Sequence, residues 1–494
     1  MIAISIGRGR HRMMIAEHRH LAEMGAQLVE LRLDYIVRAV NLKRLLAEKP
    51  TPVIVTCRRE QDGGFWKHPE QDRLMLLRSA IAEGVDYVDL EMDVAGQIPR
   101  FGKTKRIISY HNFKETPADL REIHAQCAAL NADIVKIATM ANDPKDNLRV
   151  LSLSSDTEIP TVAFCMGEMG VPSRVLAGKF GAPFTYAAFH SDRAVAPGQL
   201  SYDQMRSVYR YDDINPYTEV YGVVADPIGH SMSPQIHNAA FQHLKMDRVY
   251  LPFRVPREHL DEFIGYARQF SIKGLSVTIP HKEAIVPLCT VTDQSVDHIG
   301  AANTVVLDGY DRRAFNTDAQ AVLDSIDDTL GRGGDVDVLS GRTALVLGAG
   351  GVAKAVCYAL RTRNVELVVT SRTLSRAEEL AKKWQGRTVE WSQRDTLSPD
   401  LLINCTPLGM HPNVNESPID LEHLNRATIV FDTVYNPEQT LLIKEARKKE
   451  CRVVTGVEMF VRQAAHQFKI FTGEDPPLPL MQEVMRKSIG AAKH

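Results

Sequence analysis

Eight short β-rich runs follow one another through the first 190 residues, and mostly helical stretches separate them. They are IAISI (2–6), LVELRLDY (28–35), VIVTCR (53–58), YVDLEM (87–92), RIISYH (106–111), IVKIAT (134–139), TVAFCM (161–166) and TYAAF (185–189). Patterns such as DRLMLLRSAIAEG and ADLREIHAQCAALN lie between them. Strands that alternate with helices need crossover connections, and these produce a parallel sheet. Eight such units suggest a small (β/α)8 barrel. An open doubly wound sheet remains the alternative, because counting strands does not show that a sheet closes.

In a barrel the chemistry collects at the C-terminal ends of the strands. Those ends carry Glu30, Arg32 and Asp34, then Arg58, Glu91, His111, Lys136 and Met166. One such charge is an ordinary solvated strand end; this many at one mouth make a poor core and a good anion pocket. Arg32, Arg58 and the later Arg174 suit a carboxylate and hydroxyls on a small polar substrate. Lys136 sits inside the apolar run DIVKIAT. Taken alone it is either a lysine that snorkels at a strand edge or an amine used neutral as a nucleophile. His111, the one histidine at a strand end, is the natural proton shuttle beside it.

A polar stretch, YDDINPYTEV (211–220), separates this half from a second pattern. There RTALVLGAGGVAKAVCYAL runs a strand (344–347) into Gly348, Gly350 and Gly351 and then an apolar helix. Glycines there let the backbone approach a pyrophosphate at a helix N-terminus. A second strand, ELVVTSR, ends without the acid that would hold an NAD ribose; Ser371, Arg372 and Thr373, with Arg376 beyond, favour NADP. Upstream, Lys282, Asn303, Asn316 and Asp318 interrupt apolar stretches and are candidates for a substrate pocket. Each has a plainer reading as a turn or cap residue, and Thr317-Asp318 also reads as the start of a helix.

A chain of 494 residues exceeds one core, so two or three domains are expected. A net charge of −2 leaves no electrostatic footprint for nucleic acid or an anionic membrane. Seven cysteines without a C-x-x-C pair argue against disulfides and structural zinc and for a reducing compartment. The first residues hold too short an apolar run for a signal peptide, and no run is long enough to span a bilayer. A soluble, cytoplasmic protein is expected. No metal is expected either, since no spacing such as H-E-x-x-H occurs among the histidines.

The stretches VELRLDY, SYHNFKETP, DIVKIATM, GVPSRVLAGKFG and APGQ occur in the order seen in type I 3-dehydroquinate dehydratases, and residues 1–200 resemble that family. The resemblance implies that Lys136 forms a Schiff base with the substrate ketone. It also implies that His111 acts as general base and then general acid. Ser5, Glu30, Arg32, Arg58, Arg174 and Gln199 match its substrate-binding positions. Asp62 stands where a Glu is usual, Asn112 where Asp is common and Val195 where many relatives carry Ser.

From residue 220 to the end the chain is similar to shikimate dehydrogenases, through HSMSP, VTIPHK, GAANT, NTD, GAGGVA, SRT, NCTPLGM and GVEMFVRQAA. This resemblance implies a catalytic pair, Lys282 and Asp318. Ser231, Ser233, Thr278, Asn303, Asp318, Tyr435 and Gln463 would bind shikimate or 3-dehydroshikimate. Gly348, Ala349, Gly350, Gly351 and Val352, with Ser371, Arg372, Thr373, Arg376, Thr433 and Gly456, match NADP positions. Ser276 replaces an Asn usual in single-function bacterial enzymes.

The implied architecture is α/β. It comprises a barrel over 1–212, a substrate domain over 218–320 plus 470–494, and a Rossmann NADP domain over 321–469. The product of the first reaction, 3-dehydroshikimate, is the substrate of the second. The resemblances together imply a dehydratase and a dehydrogenase acting in succession on the route to aromatic amino acids. A quinate-preferring dehydrogenase half and a non-catalytic metabolite sensor are the alternatives. Oligomeric state is not readable from the sequence.

Overall fold

The computed structural model describes residues 1–229, 231–331 and 338–491. His230 of the HSMSP stretch, residues 332–337 of the expected NADP domain and 492–494 of the expected substrate domain lie outside the described residues. The chain forms two compact units. One is Met1–Val220 with Asp226–Gly229 and Asp247–Ser271; the other is Tyr221–Ala225 with His230–Met246 and Ile272–His494.

The first unit holds eight parallel strands: β1 (Ile2–Ile6), β2 (Leu28–Arg32), β3 (Val53–Thr56), β4 (Tyr87–Glu91), β5 (Lys105–Asn112), β6 (Ile134–Met140), β7 (Thr161–Met166) and β8 (Thr185–Ala188). Strands β2 to β7 each pair with the strand before them, and β8 returns to pair with β1, so the sheet curls into a barrel rather than an open layer. Both faces of these strands are buried, which is why they read as nearly continuous apolar runs rather than alternating ones. Among the described residues β7 and β8 share no ladder of hydrogen bonds, which leaves a seam in the barrel. Side chains cross it: the Phe164 and Tyr186 rings lie 6.0 Å apart. Thr185 Oγ1 also donates to the carbonyl of Arg174 at 2.9 Å.

Strands β9 (Glu219–Ala225) and β10 (Arg248–Arg254) follow; β10 belongs to the first unit. The second unit contains β11 (Ile272–Val277), β12 (Val291–Thr292), β13 (Thr304–Asp308) and β14 (Asp311–Phe315). β13 pairs antiparallel with both β11 and β14, and β12 runs parallel to β14.

Next in chain order come β15 (Thr343–Leu347), β16 (Glu366–Thr370), β17 (Arg387–Thr388), β18 (Leu401–Asn404), β19 (Ile429–Asp432) and β20 (Arg452–Val454). They form a parallel sheet in the order β17-β16-β15-β18-β19-β20. The order reverses between β15 and β18, and in such sheets a crevice opens beyond the carboxyl ends of the strands at that point. Val346, Val356, Leu360, Ile403 and Phe431 pack into its core. Helix Gly456–Thr472, capped reciprocally by Thr455 and Glu458, packs along helix Asp318–Leu330. Helix Leu478–Ala491 packs on helix Ser233–His243.

All seven cysteines are free; five are buried, and Cys289 and Cys405 are partly so. Among the described residues no helix is long and apolar enough to cross a membrane.

Candidate active sites

The barrel mouth brings Ser5, Glu30, Arg32, Arg58, His111, Lys136, Arg174 and Gln199 into one cavity. Side chains two residues apart on a strand share a face, so Glu30 and Arg32 of β2 point the same way. His111 of β5 pairs opposite Ala138, two residues beyond Lys136 on β6. Lys136 is buried, its Nζ 3.0 Å from Asp89 Oδ2, 3.9 Å from Glu30 Oε1 and 4.2 Å above the Tyr186 ring. Glu30 is held by Ser5 Oγ at 2.6 Å and Thr56 Oγ1 at 2.8 Å. Arg32 forks onto Asp34 at 2.9 and 2.8 Å.

Burial, with Arg58 and Lys136 nearby, holds the His111 imidazole well below its usual pKa, so it is neutral at neutral pH. Its Nδ1 has no hydrogen-bond partner among the described residues. Asp62 also lines the cavity, but its carboxylate accepts from Arg59 Nε at 2.6 Å. Asn112, next to His111, is spent on the turn, where its Oδ1 accepts from Lys114 and Glu115 N–H at 2.9 and 3.1 Å.

Arg174 is the anomaly of this site. It is 1% exposed, no carboxylate pairs with it among the described residues, and its Nε has no partner. Its guanidinium donates to Pro197 O at 3.1 Å and lies 4.4 Å over the Phe164 ring. Burial pushes its pKa down to about 10, so it stays a cation that the protein does not neutralise. Such a charge is costly unless an anion joins it.

In the second unit Lys282 Nζ donates to Asp318 Oδ2 at 2.5 Å. Asn303 Nδ2 donates to Asp318 Oδ1 at 2.9 Å and to Thr317 Oγ1 at 2.9 Å. Asp318 does open helix Asp318–Leu330, and its carboxylate is turned to Lys282 as well. Gln463 Oε1 lies 3.4 Å from Asn303 Nδ2, which places helix Gly456–Thr472 against the pair. Ser231 Oγ accepts from Ser233 N–H at 3.4 Å, Thr278 follows β11, and Tyr435 packs on Phe460 at 4.6 Å. Ser276 is not open: its Oγ donates to Gln467 Oε1 at 2.7 Å.

Gly348 ends β15 with φ +110°, and a Cβ there would sit 3.0 Å from Cys405 O. Around Gly350 nothing lies within 4 Å of a Cβ position, which leaves the backbone before helix Gly351–Thr362 approachable. The Lys282 stem passes 3.5 Å from where a Gly351 Cβ would be. Ala349 and Val352 complete the turn, and both are partly buried against the sheet core. Arg372, just past the end of β16, and Arg376, in the helix Leu374–Lys383 that follows, are exposed and make no ion pair among the described residues. This cradle and cation set fit a dinucleotide with a 2′-phosphate. Thr433 and Gly456 are also tied into the local structure. Thr433 Oγ1 donates to Asn404 O at 2.8 Å, and a Cβ on Gly456 would lie 2.3 Å from Val434 O.

The type I 3-dehydroquinase family matches residues 2–216, and the shikimate dehydrogenase substrate binding domain matches 223–305. The shikimate / quinate 5-dehydrogenase family matches 334–406, and the shikimate 5′-dehydrogenase C-terminal domain matches 456–486. The chloroplastic bifunctional 3-dehydroquinate dehydratase/shikimate dehydrogenase of Arabidopsis thaliana is 37% identical over 497 residues, covering 96% of this chain and 82% of that protein. The chain belongs to this bifunctional dehydratase–dehydrogenase family. A crystal structure of a shikimate dehydrogenase in complex with NADP+ superposes with a TM-score of 0.53 at 33% identity, over 56% of this chain and 97% of that one. The Thermus thermophilus enzyme in complex with NADP(H) and shikimate gives 0.50 at 32% identity, over 55% and 99%.

Sequence reasoning about this dehydratase–dehydrogenase missed Asp89. Burial works against its charge, yet Arg58, Lys136 and His111 hold its carboxyl well below the usual range. It lies mid-strand, two residues before Glu91 and on the same face, so period-two spacing was the available signal. Asp432 at the end of β19 was missed too. It accepts from Asn404 Nδ2 at 2.9 Å, Val434 N–H at 3.0 Å and Thr440 Oγ1 at 2.6 Å. With no cation beside it, burial pushes its pKa up to about 6.

Proposed function

We propose that Lys136 and His111 dehydrate 3-dehydroquinate and that Lys282 with Asp318 reduces the resulting 3-dehydroshikimate to shikimate. The uncompensated Arg174 cation beside a buried lysine and a neutral imidazole is the observation that carries this reading. It is a socket for an anionic carbonyl substrate.

In the barrel, the neutral amine of Lys136 adds to the ketone, and the hydroxyl so formed takes up the proton the lysine shed and departs as water, which leaves a cationic imine. Asp89, fixed as a carboxylate 3.0 Å away, stabilises that cation. The imine draws electrons from the adjacent carbon, and neutral His111 removes the proton there. The same imidazole returns a proton to the departing hydroxyl, which leaves as water, and hydrolysis of the imine frees Lys136. Arg174, Arg58 and Arg32 hold the carboxylate and hydroxyls, with Ser5, Glu30 and Gln199 around the ring.

In the second unit NADPH, when bound, supplies the hydride. Gly348 to Val352, with Thr433 and Gly456, would form its bed, and Ser371, Arg372, Thr373 and Arg376 would hold the 2′-phosphate. Lys282 delivers a proton to the carbonyl oxygen as it becomes a hydroxyl, and Asp318, which accepts from its Nζ at 2.5 Å, keeps that lysine aimed. Ser231, Ser233, Thr278, Asn303, Tyr435 and Gln463 orient the substrate. The domains that go with this reading are 1–212, 218–320 plus 470–494, and 321–469; the four matched segments support them. The partners are these small molecules, and the seven unpaired thiols support a cytoplasmic, reducing location.

The test is a single cuvette. Purified protein given 3-dehydroquinate and NADPH should oxidise NADPH after a lag while 3-dehydroshikimate builds up. A chain that binds both compounds and consumes neither would be a sensor, and the reading would fall.

A further inference from the structure

Helix Glu70–Ala82 lies outside the barrel, yet its Arg73 has 0% exposure. A guanidinium buried so completely persists only where its donors are met. Nε and Nη2 fork onto Glu70 at 2.9 and 2.6 Å, and Nη1 donates to Cys57 O at 2.7 Å. Nη1 also donates to Glu91 Oε2 at 2.8 Å. The other oxygen of Glu91 accepts from Arg58 Nη1 at 2.8 Å. Arg58 Nη2 lies 2.8 Å from Asp89 Oδ2, which in turn accepts from Lys136 Nζ at 3.0 Å. An unbroken file of alternating charges therefore joins Arg73, Glu91, Arg58, Asp89 and Lys136.

We propose that Arg73 is a positioning residue of the dehydratase site, which holds Glu91 so that Arg58 stays available to the substrate. The argument is geometric. Arginine and carboxylate prefer to meet through two parallel hydrogen bonds. Arg73 occupies one oxygen of Glu91, so Glu91 offers Arg58 the other alone. Ser109 Oγ, at 3.1 Å, and Asp89 take two further N–H groups of Arg58. The remainder of its five donors have no protein partner among the described residues. Without Arg73, Glu91 is free to fork onto Arg58 and consume another donor. The added negative charge would also weaken the pull on a substrate anion. The proposal rests on reading Arg58 as a substrate-binding residue.

The experiment is steady-state kinetics of the full chain, with shikimate oxidation in the same preparation as the internal control. Arg73→Met should raise the KM for 3-dehydroquinate about ten- to a hundredfold, the range of one charge-assisted hydrogen bond. The effect on kcat should be smaller, and shikimate oxidation should not change. Arg73→Lys keeps one ammonium donor for Glu91 and should fall between parent and Arg73→Met. Adding Glu91→Gln to Arg73→Met removes the charge that forks and should bring KM most of the way back. An unchanged KM in Arg73→Met overturns the proposal. So does a raised KM that Glu91→Gln fails to relieve, or a parallel loss of both activities. If Arg73→Met does not fold, Arg73→Lys and the double variant decide in its place. Arg58→Met separates the two readings. If KM is unmoved there, the assignment of Arg58 is wrong; if it rises there but not in the Arg73 variants, only the relay is wrong.

Discussion

The Nζ of Lys136 lies 3.0 Å from Asp89 Oδ2, so the cationic imine proposed at that nitrogen would form beside a fixed carboxylate that steadies it. Lys136→Ala should abolish dehydration and leave shikimate oxidation intact. Borohydride added with substrate should attach the substrate mass at Lys136, and label that persists in the Ala variant would dismiss the assignment. His111 is already neutral at neutral pH, its pKa displaced below 6.5 by burial and by the cations around it. For dehydration, kcat/KM should therefore rise with pH through a midpoint below 6.5 and be level above it. A midpoint above 7 would point to another base. At the other site, Arg372→Ala should weaken NADPH about ten- to a hundredfold while barely touching NADH. Equal losses for both cofactors would make that arginine structural.

Elements place these side chains, and two loops show how tightly. Gly198, with φ +69°, lies where a Cβ would come within 2.1 Å of Gly167 O, so the segment carrying Val195 and Gln199 is pressed onto the end of β7. Gly198→Ala should cost roughly 1–3 kcal/mol and raise the KM of dehydration. A variant with parental kinetics would show that the loop can shift freely. At the end of β19, Asp432 binds its proton more tightly folded, at about 6, than in the unfolded chain, where 3.8 is usual. Its contribution to stability is present at low pH and is lost as pH rises through 6. Asp432→Asn, which has no proton to lose, should gain roughly 1 kcal/mol on the parent between pH 5 and pH 8. Paired urea titrations at the two pH values check this, and a difference that does not change with pH refutes it. The elements themselves were largely legible. Strand β7 runs over Thr161–Met166 as the apolar run TVAFCM indicates, and a parallel strand covered on both faces writes itself as such a run. The run LVELRLDY overshoots, because Leu33–Tyr35 coil into a 3-10 turn that lets Asp34 grip Arg32. Asp89 was marked only by its period-two spacing from Glu91, and Arg73 was hidden because its meaning lies in partners on other elements, which no local pattern reports. The unpartnered Nδ1 of His111 was hidden in the same way, since which groups reach a ring nitrogen is set by the fold and not by the neighbouring sequence.

At the scale of the whole chain, all the dehydratase candidates precede residue 200 and all the dehydrogenase candidates follow 230. The two chemistries should therefore be separable by point substitution. Lys282→Ala should cut the turnover of shikimate oxidation far more than it raises the Michaelis constant, and 3-dehydroquinate should still be converted at the parental rate. Loss of dehydration in that variant would mean that the halves are not independent catalysts. A further consequence comes from the thiols. All seven are shielded to some degree within the fold, so an aqueous thiol reagent meets little of them while the chain is folded. Each becomes reactive when the element around it opens. Cys57 and Cys165 sit in the barrel, and Cys357, Cys405 and Cys451 in the parallel-sheet region. Peptide-resolved labelling over time is therefore a clock with separate hands for the two halves, supplied by the chain itself and needing neither substrate nor cofactor to read.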